Sequence, residues 1–356
     1  MNTYTGVIDR YKKYLPVTSN TPVVSLCEGD TPLIYSPEIS KDLGSNFKVY
    51  LKYEGLNPTG SFKDRGMTVA ISKAKEERAA AVICASTGNT SASAAAYSAR
   101  GSLKCVVVIP EGAIALGKLA QALVHKARVV AIRGNFDDAF TIVRKIASDY
   151  GLVLVNSINP YRIEGQKTAS FEICDFLGDA PHFHFLPVGN AGNITAYWKG
   201  YKEYYSYKKI TRLPKMCGFQ AQGAAPIVKG KPVKKPKTIA TAIKIGNPAS
   251  WKQALTAKRE SKGLIEAVSD NQIISAYKFL AGREGVFVEP ASAASVAGLF
   301  KLKRNGFFDK VGKKEVVIVC TLTGHGLKDP QVAIKNIKSP PVVEADEKAV
   351  LKAAGI

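Results

Sequence analysis

The chain predicts an α/β fold built on parallel sheet, and three observations carry that reading. Short apolar stretches alternate with helical ones from about residue 81 to residue 205. Polar or glycine-rich turns follow strands at their carboxyl ends, and a 46% hydrophobic composition over 356 residues suffices for one large core or two joined ones. Strands that alternate with helices need a crossover between them, and the crossover returns the next strand parallel to the last.

Residues 1–50 read as an entry segment whose clearest turn is Gly29-Asp-Thr-Pro-Leu33, and Lys48–Tyr53 is strand-like. The stretch Leu56-Asn-Pro-Thr-Gly-Ser-Phe-Lys-Asp-Arg-Gly-Met67 comes next. Pro58 and Gly60 break the chain, Ser61 reads as an N-cap with Asp64 three residues on, and Met67, Ala70, Ile71 and Ala74 recur at helical spacing. Lys63 then sits in the first turn of a helix, whose dipole disfavours an ammonium and favours the neutral amine of a nucleophilic or Schiff-base lysine. A solvated lysine on an ordinary capped helix fits the same stretch, which alone does not separate the two.

Ala81–Ala85 is a short apolar strand, Ser86-Thr-Gly-Asn-Thr90 a loop, Ser91–Arg100 an alanine-rich helix closed by Gly101, and Cys105–Ile109 a strand stopped by Pro110, together a βαβ unit. The alternation continues with a helix over Lys118–His125, a strand over Arg128–Ile132, a helix over Asn135–Tyr150 and a strand over Leu152–Val155. Asn156-Ser-Ile-Asn-Pro-Tyr-Arg162 is a polar loop at that strand's carboxyl end, where open α/β sheets place their ligands. Arg162 suits a phosphate by bidentate grip, or equally caps a surface turn.

A helix follows over Glu164–Leu177, then a strand over Phe183–Val188 running into Gly189-Asn-Ala-Gly-Asn193, which opens a helix over Ile194–Tyr205. That turn has the form of a phosphate cradle, although glycine-rich strand-to-helix turns also serve purely structural ends. Beyond it, Lys229-Gly-Lys-Pro-Val-Lys-Lys-Pro-Lys237 reads as a surface loop. Helices over Pro248–Lys258 and Asp270–Arg283, a strand over Val286–Val288 and a helix from Glu289-Pro290 to Lys303 follow. A buried strand over Glu315–Leu322 ends in Thr323-Gly-His-Gly326, and the tail after Pro330 reads as peripheral.

The formal charge is +21, with thirteen Lys or Arg and no Asp or Glu between Tyr204 and Arg259. Nucleic-acid binding, steering of a small polyanion and a plainly solvated face all fit that number, and no finger, RNP-like strand or recognition helix supports the first. The six cysteines are scattered without a C-x-x-C pair, so reduced, mostly buried thiols are expected. His182 and His184 read as one strand face rather than as metal ligands. No run reaches the roughly 18 apolar residues of a membrane span and the polar start lacks a signal-peptide profile, which leads us to expect a cytoplasmic protein.

Taken together, Asn57-Pro-Thr-Gly-Ser-Phe-Lys-Asp-Arg-Gly66, Ala85-Ser-Thr-Gly-Asn-Thr90, Val188-Gly-Asn-Ala-Gly-Asn193, Ile245-Gly-Asn-Pro248, Glu289-Pro-Ala-Ser-Ala293 and Leu322-Thr-Gly-His-Gly-Leu-Lys-Asp-Pro330 resemble one family across residues 25–330. This is the short bacterial and archaeal threonine synthases, fold type II pyridoxal 5'-phosphate enzymes related to tryptophan synthase β chains and cysteine synthases. The resemblance implies two open, twisted, mainly parallel sheets flanked by helices. A large domain of residues 1–54 and 150–356 would carry the cofactor phosphate loop, and a smaller mobile domain of residues 55–149 the lysine region and the substrate carboxylate loop. It implies that Lys63 forms the Schiff base with pyridoxal 5'-phosphate, that Asn89 meets the ring hydroxyl, that Gly189, Asn190, Ala191, Gly192 and Asn193 bind the cofactor phosphate, and that Thr323 faces the ring nitrogen.

By the same resemblance the substrate is O-phospho-L-homoserine. Its carboxylate would lie at Ser86, Thr87, Asn89 and Thr90, and its phosphate at Asn156, Ser157, Arg162 and Asn190. Lys63 would remove the α and β protons in turn, phosphate would leave Cγ, and water would add at Cβ to give L-threonine. An unregulated or simply inhibited homodimer is expected, without nucleic acid or membrane partners. The nearest rival readings are threonine dehydratase or cysteine synthase on the same fold, and a basic nucleic-acid-binding protein.

Overall fold

The computed structural model describes residues 4–112, 116–309, 311–312, 314–336 and 340–356. Ten strands run in chain order: β1 Leu33–Tyr35, β2 Phe47–Tyr53, β3 Ala81–Ala85, β4 Lys104–Pro110, β5 Arg128–Ile132, β6 Val153–Leu154, β7 Phe183–Pro187, β8 Lys215–Ala221, β9 Leu264–Val268 and β10 Val316–Leu322. They form two sheets, one of six strands in the order β1-β2-β10-β7-β8-β9 and one of four in the order β5-β4-β3-β6. All pairs are parallel except β1 with β2, as the alternation of strands and helices predicts.

Strands β1, β8 and β9 had no counterpart in the sequence reading. β1 has three residues, Gly218 and Gln220 interrupt the apolar run of β8, and β9 follows directly on the helix Trp251–Glu260. The expected strand over Val286–Val288 is instead a single isolated bridge, Val288 with His325. His184, in the middle of β7, is fully buried between Tyr201 (2.8 Å) and Thr321 (2.7 Å), and burial lowers its pKa to about 3, so it is a neutral core residue. Five of the six cysteines are buried free thiols and Cys27 is exposed. No helix among the described residues is long and apolar enough to cross a membrane.

The two sheets meet through two helices, Lys63–Glu76 and Pro160–Leu177, the second started by Asn159, whose side chain accepts from the Tyr161 N–H, with proline at the first helical position. They cross backbone to backbone. A β-carbon on Gly165 would lie 1.9 Å from the Arg65 carbonyl oxygen, and one on Gly66 would lie 2.5 Å from that of Arg162.

A buried ionic group locks this crossing. Arg65 donates to Glu54 (2.6 Å) and to Glu172 (2.6 Å), and Lys52 donates to Glu172 (2.7 Å), so the strand β2, the short turn after it and both helices share one set of charges. The two cations hold the Glu172 carboxyl well below the usual carboxylate range, against the opposing effect of burial. Breaking such a group by removing one partner leaves a buried charge without compensation.

The crossing gives a direct test. Gly165→Ala should cost about 3 kcal/mol, the upper part of the usual overpacking range, in urea denaturation. Gly282→Ala, in a helix with nothing within 4 Å of the added carbon, should be neutral or stabilising. Equal effects of the two would show that the helices are not in close contact.

Candidate active site

Lys63 is the first residue of its helix, and the residue before it occupies the N-cap position in a helical conformation without a side-chain cap. The expected capping by Ser61 is therefore not what starts the helix. Gly60–Phe62 runs antiparallel to Thr323–His325 instead. Ser61 bridges Gly324, the Phe62 N–H donates to the Thr323 carbonyl (3.1 Å), and the His325 N–H donates to that of Gly60 (2.9 Å). Asp64, expected to pair with that cap, is fully buried and accepts from the Thr59 N–H (2.7 Å), the Thr59 hydroxyl (2.6 Å) and Ser93 (2.6 Å). The chain between β2 and the lysine helix is thus fastened to the loop after β10, which fixes where the lysine begins.

The Lys63 side chain is partly accessible; its amine lies 4.3 Å from the Phe62 ring centroid and makes no hydrogen bond among the described residues. Burial first, and then the charge of Arg162, lower its pKa to about 7, with Glu289 opposing. Arg162 was expected in a loop. It lies instead in the first turn of its helix, 0% exposed, with one guanidinium nitrogen donating to the Val155 carbonyl (2.9 Å) and the other two without partners. Burial lowers its pKa to about 10. A buried guanidinium with two unpartnered donors has the chemistry to hold an anion.

Asn89 lies in the first turn of the helix Asn89–Arg100, where the sequence suggested a loop. Its amide nitrogen donates to both oxygens of Glu289 (3.2 and 3.0 Å), and its buried amide oxygen has no partner. Thr323 shares a hydrogen bond with Ser292 (2.9 Å) and donates to Glu289 (3.3 Å). Glu289 and Ser292 were not assigned roles from the sequence, although Glu289-Pro-Ala-Ser-Ala293 was a signal that could have pointed to them. Glu289 ties Asn89 of one sheet's edge to Thr323 of the other.

Gly189–Asn193 turns between β7 and the helix Gly192–Ser206, with Ala191 in the left-handed region (φ 66°) at the N-cap. Asn190 accepts from the Ala249 N–H (3.1 Å) through its side chain and from the Ser250 N–H (3.1 Å) through its carbonyl. Asn193 is buried with both amide atoms unpartnered. Ser86 and Thr87 are half-buried and leave β3 beside the helix that Asn89 and Thr90 begin, and an added carbon at the intervening Gly88 would meet nothing within 4 Å. Asn156 closes both amide bonds on the Ala85 peptide (3.0 and 2.8 Å), so it fastens the end of β3, and Ser157 is half-buried next to it. The unpartnered polar atoms of Asn89, Arg162 and Asn193 and the amine of Lys63 all belong to helix starts that follow β3, β6, β7 and β2, at the carboxyl ends of strands in the two sheets, where such sheets bind ligands.

Residues 24–323 match the family described as pyridoxal-phosphate dependent enzyme, and the chain belongs to that class. Among solved structures, a maize serine racemase superposes with a TM-score of 0.75 at 20% identity, covering 93% of this chain and 97% of that one, which shows the shared fold. The relatives narrow the class. A threonine synthase of Synechocystis sp. is 60% identical over 93% of this chain and 85% of that protein, and one of Halalkalibacterium halodurans is 58% identical over 99% and 98%. The chain belongs to the threonine synthases.

The residues present fit the cofactor of that class. It brings a phosphate, an aldehyde and a polar ring, and the chain offers a glycine turn at a helix start, a lysine amine of lowered pKa and unpartnered buried amides. Since the folded Lys63 has a pKa of about 7 against 10.5 for an ordinary lysine, the unfolded chain binds more protons between those values. Stability of the cofactor-free protein should therefore rise from pH 7 to about pH 9.5 relative to a Lys63→Met variant, as measured by urea denaturation. A constant difference between the two proteins would mean that Lys63 keeps an ordinary pKa.

Proposed function

We propose that this chain converts O-phospho-L-homoserine and water to L-threonine and phosphate, the activity its resemblance implies, and that the open guanidinium of Arg162 beside the Lys63 amine is the observation that carries it. Lys63, Asn89, Gly189, Asn190, Ala191, Gly192, Asn193 and Thr323 would hold pyridoxal 5'-phosphate. When bound, it supplies an aldehyde for the lysine amine and a ring that accepts electrons from the substrate carbons.

The placement of the chain's own groups supports a role for each in this proposal. Lys63, uncharged in a large fraction of molecules at neutral pH, accepts the substrate's α and β protons in turn and returns one at Cγ. Arg162 receives the phosphate as it leaves Cγ, and half-buried Ser157 lies in the turn before it. Asn156 contributes through the end of β3 that it fastens, and Asn190 from the opposite loop. Ser86, Thr87, Asn89 and Thr90 present hydroxyls, an amide and the start of a helix to the substrate carboxylate. Thr323, a hydroxyl rather than a carboxylate, would not hold a ring nitrogen permanently protonated, which favours elimination and replacement over transamination.

A division into two domains belongs to the same proposal. The four-stranded sheet would move as the smaller one, and since Val153–Leu154 pairs with β3, that unit would extend past residue 149 to Leu154. A homodimer rests on the family resemblance, and a cytoplasmic location on the reading of the sequence.

Phosphate release from O-phosphohomoserine with matching threonine is the expected assay result, and faster deamination of serine or threonine would favour a dehydratase. Lys63→Ala should abolish turnover. Arg162→Ala should raise KM about 10- to 100-fold, the size of a lost charge-assisted hydrogen bond, while leaving cofactor affinity in place. Loss of cofactor with unchanged KM would contradict the placement of Arg162.

A further inference from the structure

The segment from Ala221 to Ser250 joins β8 to the helix Trp251–Glu260 and is rooted at the ligand edge of the large sheet. β7 and β8 are parallel neighbours, so the loop after β8 leaves the sheet at the same edge as the Gly189–Asn193 turn after β7. Its returning limb packs on that turn. A β-carbon on Gly189 would lie 3.0 Å from Ile243 Cα, and the Ala249 and Ser250 N–H groups donate to Asn190. The two limbs are tied to each other where the Val233 N–H donates to the Gly246 carbonyl (2.9 Å).

Lys229, Lys231, Lys234, Lys235, Lys237 and Lys244 are carried by this loop, all exposed, and none forms an ion pair among the described residues. No carboxylate residue occurs between Tyr204 and Arg259 to offset them. Lysines arranged to stabilise the fold would be paired with carboxylates or set at helix ends. These are instead concentrated on a loop whose stem packs on the Gly189–Asn193 turn.

We propose that the 229–244 loop is an electrostatic funnel that raises the capture rate of a doubly charged phosphate monoester at the Lys63 site. The inference rests on the functional reading above, which supplies the phosphate ester. A basic rim works at long range by concentrating the dianion near the cleft, while Arg162 holds it once inside. The loop therefore sets kcat/KM and its salt dependence, not kcat.

The test compares holoenzyme carrying Lys→Gln at 231, 234, 235, 237 and 244 with wild type and with the matching Lys→Arg protein, using O-phosphohomoserine between roughly 20 and 200 mM ionic strength. Wild-type kcat/KM should fall on the order of threefold or more across that range. The glutamine protein should already show the lower value at low salt, with a flattened slope and unchanged kcat, and the arginine protein should keep the wild-type slope. Equal salt slopes in the glutamine and wild-type proteins would overturn the inference while leaving the functional reading standing. Loss of binding to a duplex DNA oligonucleotide with an unchanged slope would overturn it in favour of a nucleic-acid face. Absence of threonine at every ionic strength would overturn the functional reading, and this inference with it.

Discussion

The backbone contact between the helices Lys63–Glu76 and Pro160–Leu177 is the constraint on which the site depends. Two glycines, Gly66 and Gly165, let the helix starts approach until the Lys63 amine comes under the field of Arg162. No side chain fits between them, so the approach of the two helix starts is set by main chain. Two like charges brought together away from water are unfavourable, and the protein resolves this on one side only. The guanidinium stays charged, and the amine gives up part of its proton affinity.

The cost of that arrangement is met by neighbouring charges of the opposite kind. Arg65, two residues after Lys63, is saturated by Glu54 and Glu172, and Lys52 completes the group, so the helix is anchored by paired charges. Arg65 is fully paired, whereas Arg162, equally 0% exposed, keeps two donors without partners, the contrast on which its proposed anion-binding role rests. Glu289 plays the bridging part on the other side, orienting Asn89 and receiving the Thr323 hydroxyl.

The alternation of elements and their parallel pairing were legible in the sequence because apolar strands of five to seven residues, such as β3, β4 and β10, are bounded by glycine, proline and polar turns. β1 was too short, and β8 too interrupted by Gly218 and Gln220, to give a period. The functional turns were legible as motifs, whereas their geometry was not. Ser61 has the composition of an N-cap, yet pairing with the segment after β10 overrides that local preference and leaves its hydroxyl without a partner. Likewise Asn89 and Arg162 read as loop residues because asparagine and proline lie nearby, and both prove to be first-turn helix residues. Asn156 reads as a ligand residue by type, but its amide is committed to the Ala85 peptide, a fact that only the packing of β3 against the turn after β6 reveals.

A Lys63 amine whose pKa burial, and then the charge of Arg162, lower to about 7 joins these features into one statement. The most direct measurement is an NMR titration of the Lys63 side-chain amine in cofactor-free protein, assigned against Lys63→Arg and repeated in Arg162→Met. The account predicts a midpoint at about 7 that moves upward when Arg162 is neutralised. A wild-type midpoint close to the ordinary 10.5, or one unmoved by the loss of Arg162, would contradict it.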